Sequence, residues 1–298
     1  MLAMIDRVRA SMALRAVPSL EFVDARAAGR LDVERQFFAG LQMRNGVFKT
    51  THHRRLDDAN ALLVPAVKAL GRASVRGLDV GCSSGVSTVE LHDALTAAGL
   101  SCDTVGTDVM TAARHVARED GCGVLFDDDE EAIQVEVGRW AMSWRWPPRK
   151  IELVAHPLKV ARAQLILRSQ LDAFRAALHA ERPGYRVTRV PLTSSAVASA
   201  PGVTVVEEDL LRPTVPGAFD VIRVANVFNL GYFGEARLRE MIAVTVGRLA
   251  EGGLLMVTQT RAGTNHATLF RKRDGAMEQV GAIHGGSDVA AMVAPPVG

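Results

Sequence analysis

Residues 75–95, VRGLDVGCSSGVSTVELHDAL, constrain the fold more than any other stretch of the chain. Val75 to Val80 is a short, mostly apolar run that carries Asp79. Gly81, Cys82, Ser83 and Gly85 then make a small-residue turn. A helical periodicity follows, with Leu91, Leu95 and Ala98 on one face and Gly99 at the C-cap position. The order is strand, tight turn, helix. Small residues let backbone N–H groups approach a ligand closely, and the following helix presents its positive dipole end and unpaired amides at the same place. The turn is a candidate ligand seat; its competing reading is a packing turn with no ligand.

The stretch after it extends the pattern. Residues 102–107, CDTVGT, read as a second short strand ending at Asp108. A carboxylate at that position can accept both hydroxyl protons of a ribose diol. It can also cap a helix over TAARHVARE, 111–119, and the two roles are compatible. The dinucleotide fingerprint asks for G-x-G-x-x-G after the first strand. Gly81-Cys82-Ser83-Ser84-Gly85 lacks the third glycine at the required step, which weakens a nicotinamide-dinucleotide reading.

At 298 residues with 48% hydrophobic content the chain can bury a sizeable core. Its 35 basic and 33 acidic residues leave a formal charge of +2, so no global electrostatic case for nucleic-acid binding exists. Cys82, Cys102 and Cys122 form neither an even disulfide set nor a C-x-x-C metal clip, which fits a reducing compartment and a cytoplasmic location. No apolar run reaches the roughly 18 residues of a membrane span. Asp6, Arg7 and Arg9 interrupt what would be the apolar region of a secretory signal, so the opening segment reads as an amphipathic helix.

The pattern predicts an α/β fold: a Rossmann-like, mostly parallel seven-stranded sheet with an antiparallel C-terminal hairpin, an N-terminal helical cap and an inserted α+β subdomain. The cap covers 1–73, with helical spacing over 3–17 and 31–43. A further helix begins near Leu56, with Asp57 or Asp58 as N-cap, and Pro65 kinks or restarts it. The sheet domain covers 74–120 and 202–298. Strands are read at VTVVEEDLLRP, FDVIRVANVFN and GLLMVTQT, a helix at EARLREMIAVTVGRLAEGG, and a hairpin turn at Arg273-Asp274-Gly275. The insert covers 121–201, about eighty residues and too long for a loop. Within it AIQVEVGRW and YRVTRVPL read as strands, IELVAHP as a possible strand, and LKVARAQLILRSQLDAFRAALHAE as one long helix.

Trp140, Trp144 and Trp146 lie in the insert beside Arg139, Arg145, Arg149 and Lys150. The 139–150 segment is open to two readings: a peripheral-membrane or acidic-partner surface, since tryptophan and arginine suit a boundary that is wet on one side, or packing of the insert's own core. His52 and His53 invite a metal or general-base role, but no further His, Asp or Cys stands at ligand spacing, and that role is set aside. His266 and His284 read as structural or exposed.

Taken together, LDVGCSSG, TDVM, EEDLLRP, FDVIRVANVFN and RLAEGGLLMVTQT resemble, in order, the landmarks of the class I methyltransferases that use S-adenosylmethionine, with Ser83 where the middle glycine of the first motif usually sits. The resemblance covers roughly 74–120 and 202–285. It implies S-adenosylmethionine as cofactor, with Asp79, Gly81, Cys82, Ser83 and Gly85 around its methionine part. Asp108 would hold the ribose, Asp209 with Leu210 would frame the adenine, Val109 would belong to the same cofactor site, and Asn226 would line it near the methyl group. Methyl transfer depends chiefly on alignment of the nucleophile, and no catalytic base is assigned. The layout is similar to the chemotaxis-receptor glutamate O-methyltransferases, with an N-terminal helical part and an insert after the second strand. Val224-Ala225-Asn226-Val227 stands in place of their C-R-N-V, and Thr50-Thr51-His52-His53-Arg54 in place of T-x-F-F-R. By that resemblance Arg54, Asn229 and Tyr232 are substrate-side candidates; the competing reading is a solvated turn and a core-edge tyrosine. The expected activity is methyl transfer to an unidentified small-molecule, lipid-like or protein acceptor. The alternative is a non-catalytic module of the same fold that uses the tryptophan and arginine insert to bind a partner.

Overall fold

The computed structural model describes residues 16–43, 48–49, 53–143 and 157–295. The expected helix over 3–17 therefore lies almost wholly outside the described residues. So do Thr50–His52, the segment with Trp144, Arg145, Trp146, Arg149 and Lys150, and nearly all of IELVAHP. The chain divides into two compact units, one of 1–52 with 112–195 and the other of 53–111 with 196–298.

In chain order the elements are helices α1 (Ser19–Ala27), α2 (Leu31–Gly40) and α3 (Asp57–Lys68), strand β1 (Ser74–Val80), α4 (Val86–Ala97), β2 (Ser101–Asp108), β3 (Ala112–Arg118), β4 (Cys122–Phe126), β5 (Ala132–Val137) and β6 (Trp140–Ser143). There follow α5 (Pro157–Leu165), a π-helical turn (Ile166–Gln170), α6 (Leu171–Ala176), β7 (Tyr185–Pro191), α7 (Ser195–Ala198), β8 (Val203–Glu207), β9 (Phe219–Ala225), α8 (Glu235–Gly247), β10 (Leu249–Arg261), β11 (Thr264–Arg273), β12 (Ala276–Ile283) and α9 (Ala290–Val293).

The unit of 53–111 and 196–298 is built on a seven-stranded sheet in the order β12-β11-β10-β9-β1-β2-β8. Strands β8, β2, β1, β9 and β10 run parallel, and β11 and β12 close the sheet antiparallel, as the hydrophobic pattern predicts. The inner parallel strands β1, β9 and β10 are buried along most of their length, which is why they read as near-continuous apolar runs, whereas the edge strand β8 is only partly covered. Leu78, Ile222, Val224, Leu255 and Val257 face α8 and the C-terminal turn, through Leu238, Ile242 and Val289. Val75, Val221, Leu254 and Met256 face α3 and α4, through Leu56, Leu63, Val67, Leu91 and Leu95. Helix α3, expected in the cap, thus belongs to the sheet unit. It starts at Asp57 with Leu56 rather than an aspartate at the N-cap, and it runs through Pro65 without a break in the assignment.

The unit of 1–52 and 112–195 carries a second, antiparallel sheet in the order β6-β5-β4-β3-β7. It begins at 112 because TAARHVARE is strand β3, not the expected helix. Alanine and arginine favour a helix locally, but β4 and β7 offer hydrogen-bonding edges on either side, and that pairing overrides the propensity. The expected long helix is interrupted by the π-helical turn between α5 and α6. Those helices pack Val160, Ala163, Ile166 and Phe174 on Val116, Val124, Phe126 and Val135. Trp140 is 3% exposed in the same cluster, so the core-packing reading holds for that tryptophan. At α1 and α2, Phe22 stacks on Phe37 with ring centroids 4.0 Å apart. Among the described residues no helix is long and apolar enough to cross a membrane.

Candidate functional site

In the seven-stranded sheet the chain steps from β1 outward to β2 and β8, then returns to place β9 on the other side of β1. That reversal opens a switch point at the carboxyl ends of β1 and β9, where open α/β sheets bind ligands. The turn singled out in the sequence, 81–85, sits there. Gly81 and Cys82 both donate their N–H to Thr107 O, at 2.8 and 2.9 Å, pinning the turn to the end of β2. Gly81, Ser83 and Gly85 adopt φ of 69°, 59° and 79°, left-handed angles that glycine accepts freely and serine rarely. The glycines are needed for packing as well. A Cβ on Gly81 would fall 2.2 Å from Val227 Cγ2, and one on Gly85 2.5 Å from Val197 Cγ2. Space expected to flank a ligand at these two positions is held by the chain's own valines.

Asp79 lies beneath the turn and is 1% exposed. Arg223, its register partner on β9, grips it with two hydrogen bonds, Nε to Oδ1 at 2.9 Å and Nη2 to Oδ2 at 2.7 Å. Thr88 Oγ1 donates to Oδ2 at 2.6 Å. Arg223, itself 0% exposed, also donates to Asn60 Oδ1 and Ser87 O. Asp79 therefore anchors β1, β9, α3 and α4 to one another from inside, instead of facing a ligand.

Asp108 lies at the end of β2 as expected. Its Oδ2 accepts the Ser83 N–H at 2.8 Å, so the acid and the turn form one surface. Val109 beside it is 68% exposed. Thr111, read as the start of a helix, instead donates its N–H and hydroxyl to Glu207 Oε2. In EEDLLRP, Asp209 is exposed, whereas Leu210 turns into the core at 7% exposure. Glu208 is buried and accepts Arg248 Nη1, Thr214 N and Val215 N, each at 2.7 Å. Burial pushes its carboxyl up, but the Val215 and Thr214 amides and the Arg248 guanidinium prevail and hold it below the usual range.

Asn226 closes β9 with φ 61° and is clamped to β10: its N–H donates to Thr258 O, and Thr260 N donates to its Oδ1 at 2.6 Å. Thr260 Oγ1 in turn donates to Asn265, whose Nδ2 reaches Arg55 O and Asp58 Oδ1 at 2.6 Å each. This network ties the segment before α3 to the carboxyl end of β9. Of the substrate-side candidates, Asn229 spends its Oδ1 on Gly231 N in its own turn, and Tyr232 is 53% exposed. The Arg54 guanidinium pairs with Asp57 at 2.6 Å.

Sequence reasoning missed Arg223 and Glu90 here, and it set aside the general-base role of His53. Arg223 could have been found, because an arginine inside a buried parallel strand requires an acid nearby. Glu90, on α4, carries no such signal. Glu90 Oε1 lies 2.7 Å from His53 Nδ1 and accepts the Arg54 N–H at 2.6 Å. Arg55, beside them, is held below its usual range by burial and by Arg223, against the pull of Asp79 and Glu90.

No protein-family model matches the sequence, and no curated protein matches it. Among solved structures the chain is similar to the N-methyltransferase NodS from Bradyrhizobium japonicum WM9 in complex with S-adenosyl-L-homocysteine. The TM-score is 0.32 at 18% identity, over 69% of this chain and 62% of that one. It is similar to SAM-bound CalS10, an amino pentose methyltransferase from Micromonospora echinaspora, at TM-score 0.31 and 16% identity, over 74% of this chain and 67% of that one. A TehB-like SAM-dependent methyltransferase from Corynebacterium glutamicum matches at TM-score 0.31 and 14% identity, over 70% of each chain. Likenesses this loose assign no residue and no activity, and the site stands on the chain's own geometry.

Proposed function

We propose that the unit built on the seven-stranded sheet is an S-adenosylmethionine-dependent methyltransferase acting on an unidentified acceptor. One observation carries the reading: the Asp108 carboxylate, at the end of the strand next to β1, meets the turn through Ser83 N–H at 2.8 Å beside the switch point. The residues fit the cofactor. Asp108 offers carboxylate oxygens for a ribose diol, exposed Val109 an apolar flank for adenine, and exposed Asp209 an acceptor for its amino group. When bound, the cofactor supplies an electrophilic methyl group on a sulfonium. The chain's part is to hold the acceptor in line with it near Asn226, at the end of β9, and such positioning supplies much of the rate.

Isothermal titration with S-adenosylmethionine and with its demethylated product tests this. Both should bind, and Asp108→Ala should weaken both by about tenfold or more, the loss of one charge-assisted pair. Absence of binding by either ligand at high micromolar concentration refutes the proposal, and unchanged affinity in the variant removes the ribose assignment.

A further inference from the structure

His53 and Glu90 make a pair that the cofactor seat does not use. The imidazole Nδ1 stands 2.7 Å from Glu90 Oε1 while the side chain is 66% exposed. Glu90 is only 11% exposed, and its Oε1 also accepts the Arg54 N–H, so the carboxylate is fixed before the ring meets it. A carboxylate on Nδ1–H holds the neutral ring in the tautomer whose lone pair is on Nε2 and steadies the imidazolium that forms when Nε2 takes a proton. This is the geometry of an oriented general base. Among the described residues, Arg54, paired with Asp57, donates its N–H to Glu90, and the Arg55 guanidinium interacts with the same carboxylate.

Its place in the fold gives the pair a task. Glu90 is on α4 about five residues past the cap at Gly85, on the order of 8 Å along the axis from the cofactor turn. The segment carrying His53 is held on its other side by the Asn265–Thr260–Asn226 network that ends at β9. The turn that carries His53 is thus tied to α4 through Glu90 and, two residues on, through Arg55 O to the network that ends at Asn226. Exposed apolar side chains follow the end of β9: Leu230 and Tyr232.

We infer that His53 is the proton acceptor of the methyl transfer, that Glu90 is its positioning residue, and that the acceptor is a hydroxyl group on an apolar body. This rests on the methyl-transfer reading. A carboxylate or a neutral amine attacks a sulfonium methyl unaided, whereas a neutral hydroxyl needs a base as it attacks. In the step the hydroxyl oxygen bonds to the methyl carbon, the carbon–sulfur bond breaks with its electron pair left on sulfur, and the hydroxyl proton moves to His53 Nε2, from which water later removes it.

The two cofactor forms differ by one methyl group and one positive charge, which gives a test independent of turnover. In protein labelled with ¹⁵N-histidine, with His53→Gln assigning the signal, the ring of His53 is titrated in each complex. A positive sulfonium next to the hydroxyl that Nε2 serves disfavours the imidazolium, so the titration midpoint should be lower in the S-adenosylmethionine complex than in the demethylated one. In Glu90→Ala, which removes the acceptor, the neutral ring should lose its Nδ1–H signature while cofactor affinity is kept. With cofactor bound, 2-naphthol should perturb the His53 ring and 2-naphthoate should not. Identical midpoints in two complexes that both form, or an unchanged tautomer in Glu90→Ala, overturn the inference and leave the methyl-transfer reading standing. Equal or absent responses to the two naphthalenes overturn the hydroxyl assignment. If neither cofactor form binds, the methyl-transfer reading falls and this inference with it.

Discussion

Replacing Arg223 with methionine separates an anchoring role for Asp79 from direct contact with a ligand. The guanidinium is 0% exposed and makes four hydrogen bonds, two to Asp79, one to Asn60 and one to Ser87 O. Arg223→Met keeps most of the stem but leaves the Asp79 carboxylate buried with Thr88 Oγ1 as its remaining described donor. Breaking a buried pair from one side costs about 3–5 kcal/mol. Adding Asp79→Asn removes the stranded charge at constant shape and keeps an oxygen for Thr88. What then remains is the loss of donors at Asn60 and Ser87 O, roughly 1 kcal/mol each. The double variant should be more stable than the single one by about 2 kcal/mol. Urea unfolding followed by far-UV circular dichroism is the assay, because all three tryptophans lie in the other unit and fluorescence would report on that one. The double variant should also keep S-adenosylmethionine affinity within a few-fold. A cost below about 1 kcal/mol for Arg223→Met, or a double variant no more stable than the single, refutes the anchor. Lost cofactor binding in a stable double variant would return Asp79 to the ligand.

Glu136, in the other unit, lies 3.1 Å from His115 and accepts both the N–H and the hydroxyl of Ser19 at the start of α1. Burial pushes its carboxyl up, but His115 and Ser19 outweigh that and hold it below the usual range. A carboxyl depressed in the folded state contributes fully above the ordinary glutamate value of about 4.3, and the contribution fades as pH falls below it. Tryptophan fluorescence should therefore show this unit unfolding at higher pH in Glu136→Gln than in wild type; coincident acid transitions would contradict it. At the turn, Gly81→Ala combines a φ of 69° with a Cβ 2.2 Å from Val227 Cγ2. Left-handed strain and overpacking together should cost about 2–4 kcal/mol. Val227→Ala in the same chain should return about half in a thermal melt, and a melt unchanged by Gly81→Ala alone would mean that the turn yields.

The parts of this molecule legible in the sequence are those whose cause is local. The run into Gly81, the periodicity of α4, the parallel strands and the hairpin at Asp274 each follow from neighbouring residues, and each is present. Strand β3 was not legible, because its alanines and arginines are held extended by β4 and β7, and α5 gives way to a π-helical turn that no spacing announces. The candidate site divides the same way. Asp108 is marked by its position at a strand end, but the grip on Asp79 comes from a residue 144 positions away. Still, FDVIRVANV holds an arginine within a strand that must be buried on both faces, and such a charge demands an acid on a neighbouring strand. Val221, Arg223 and Ala225 share one face of β9, and Val75, Gly77 and Asp79 share one face of β1. Once β1 and β9 are set side by side in the register that pairs Gly77 with Val221, alternation puts the arginine on the same face as the aspartate. His53 and Glu90 obey no such rule, since they meet across two segments whose approach depends on the packing of α3 against α4. Polar partners inside a sheet can thus be deduced from strand order and alternation, whereas partners at its rim, where chemistry is done, need the coordinates.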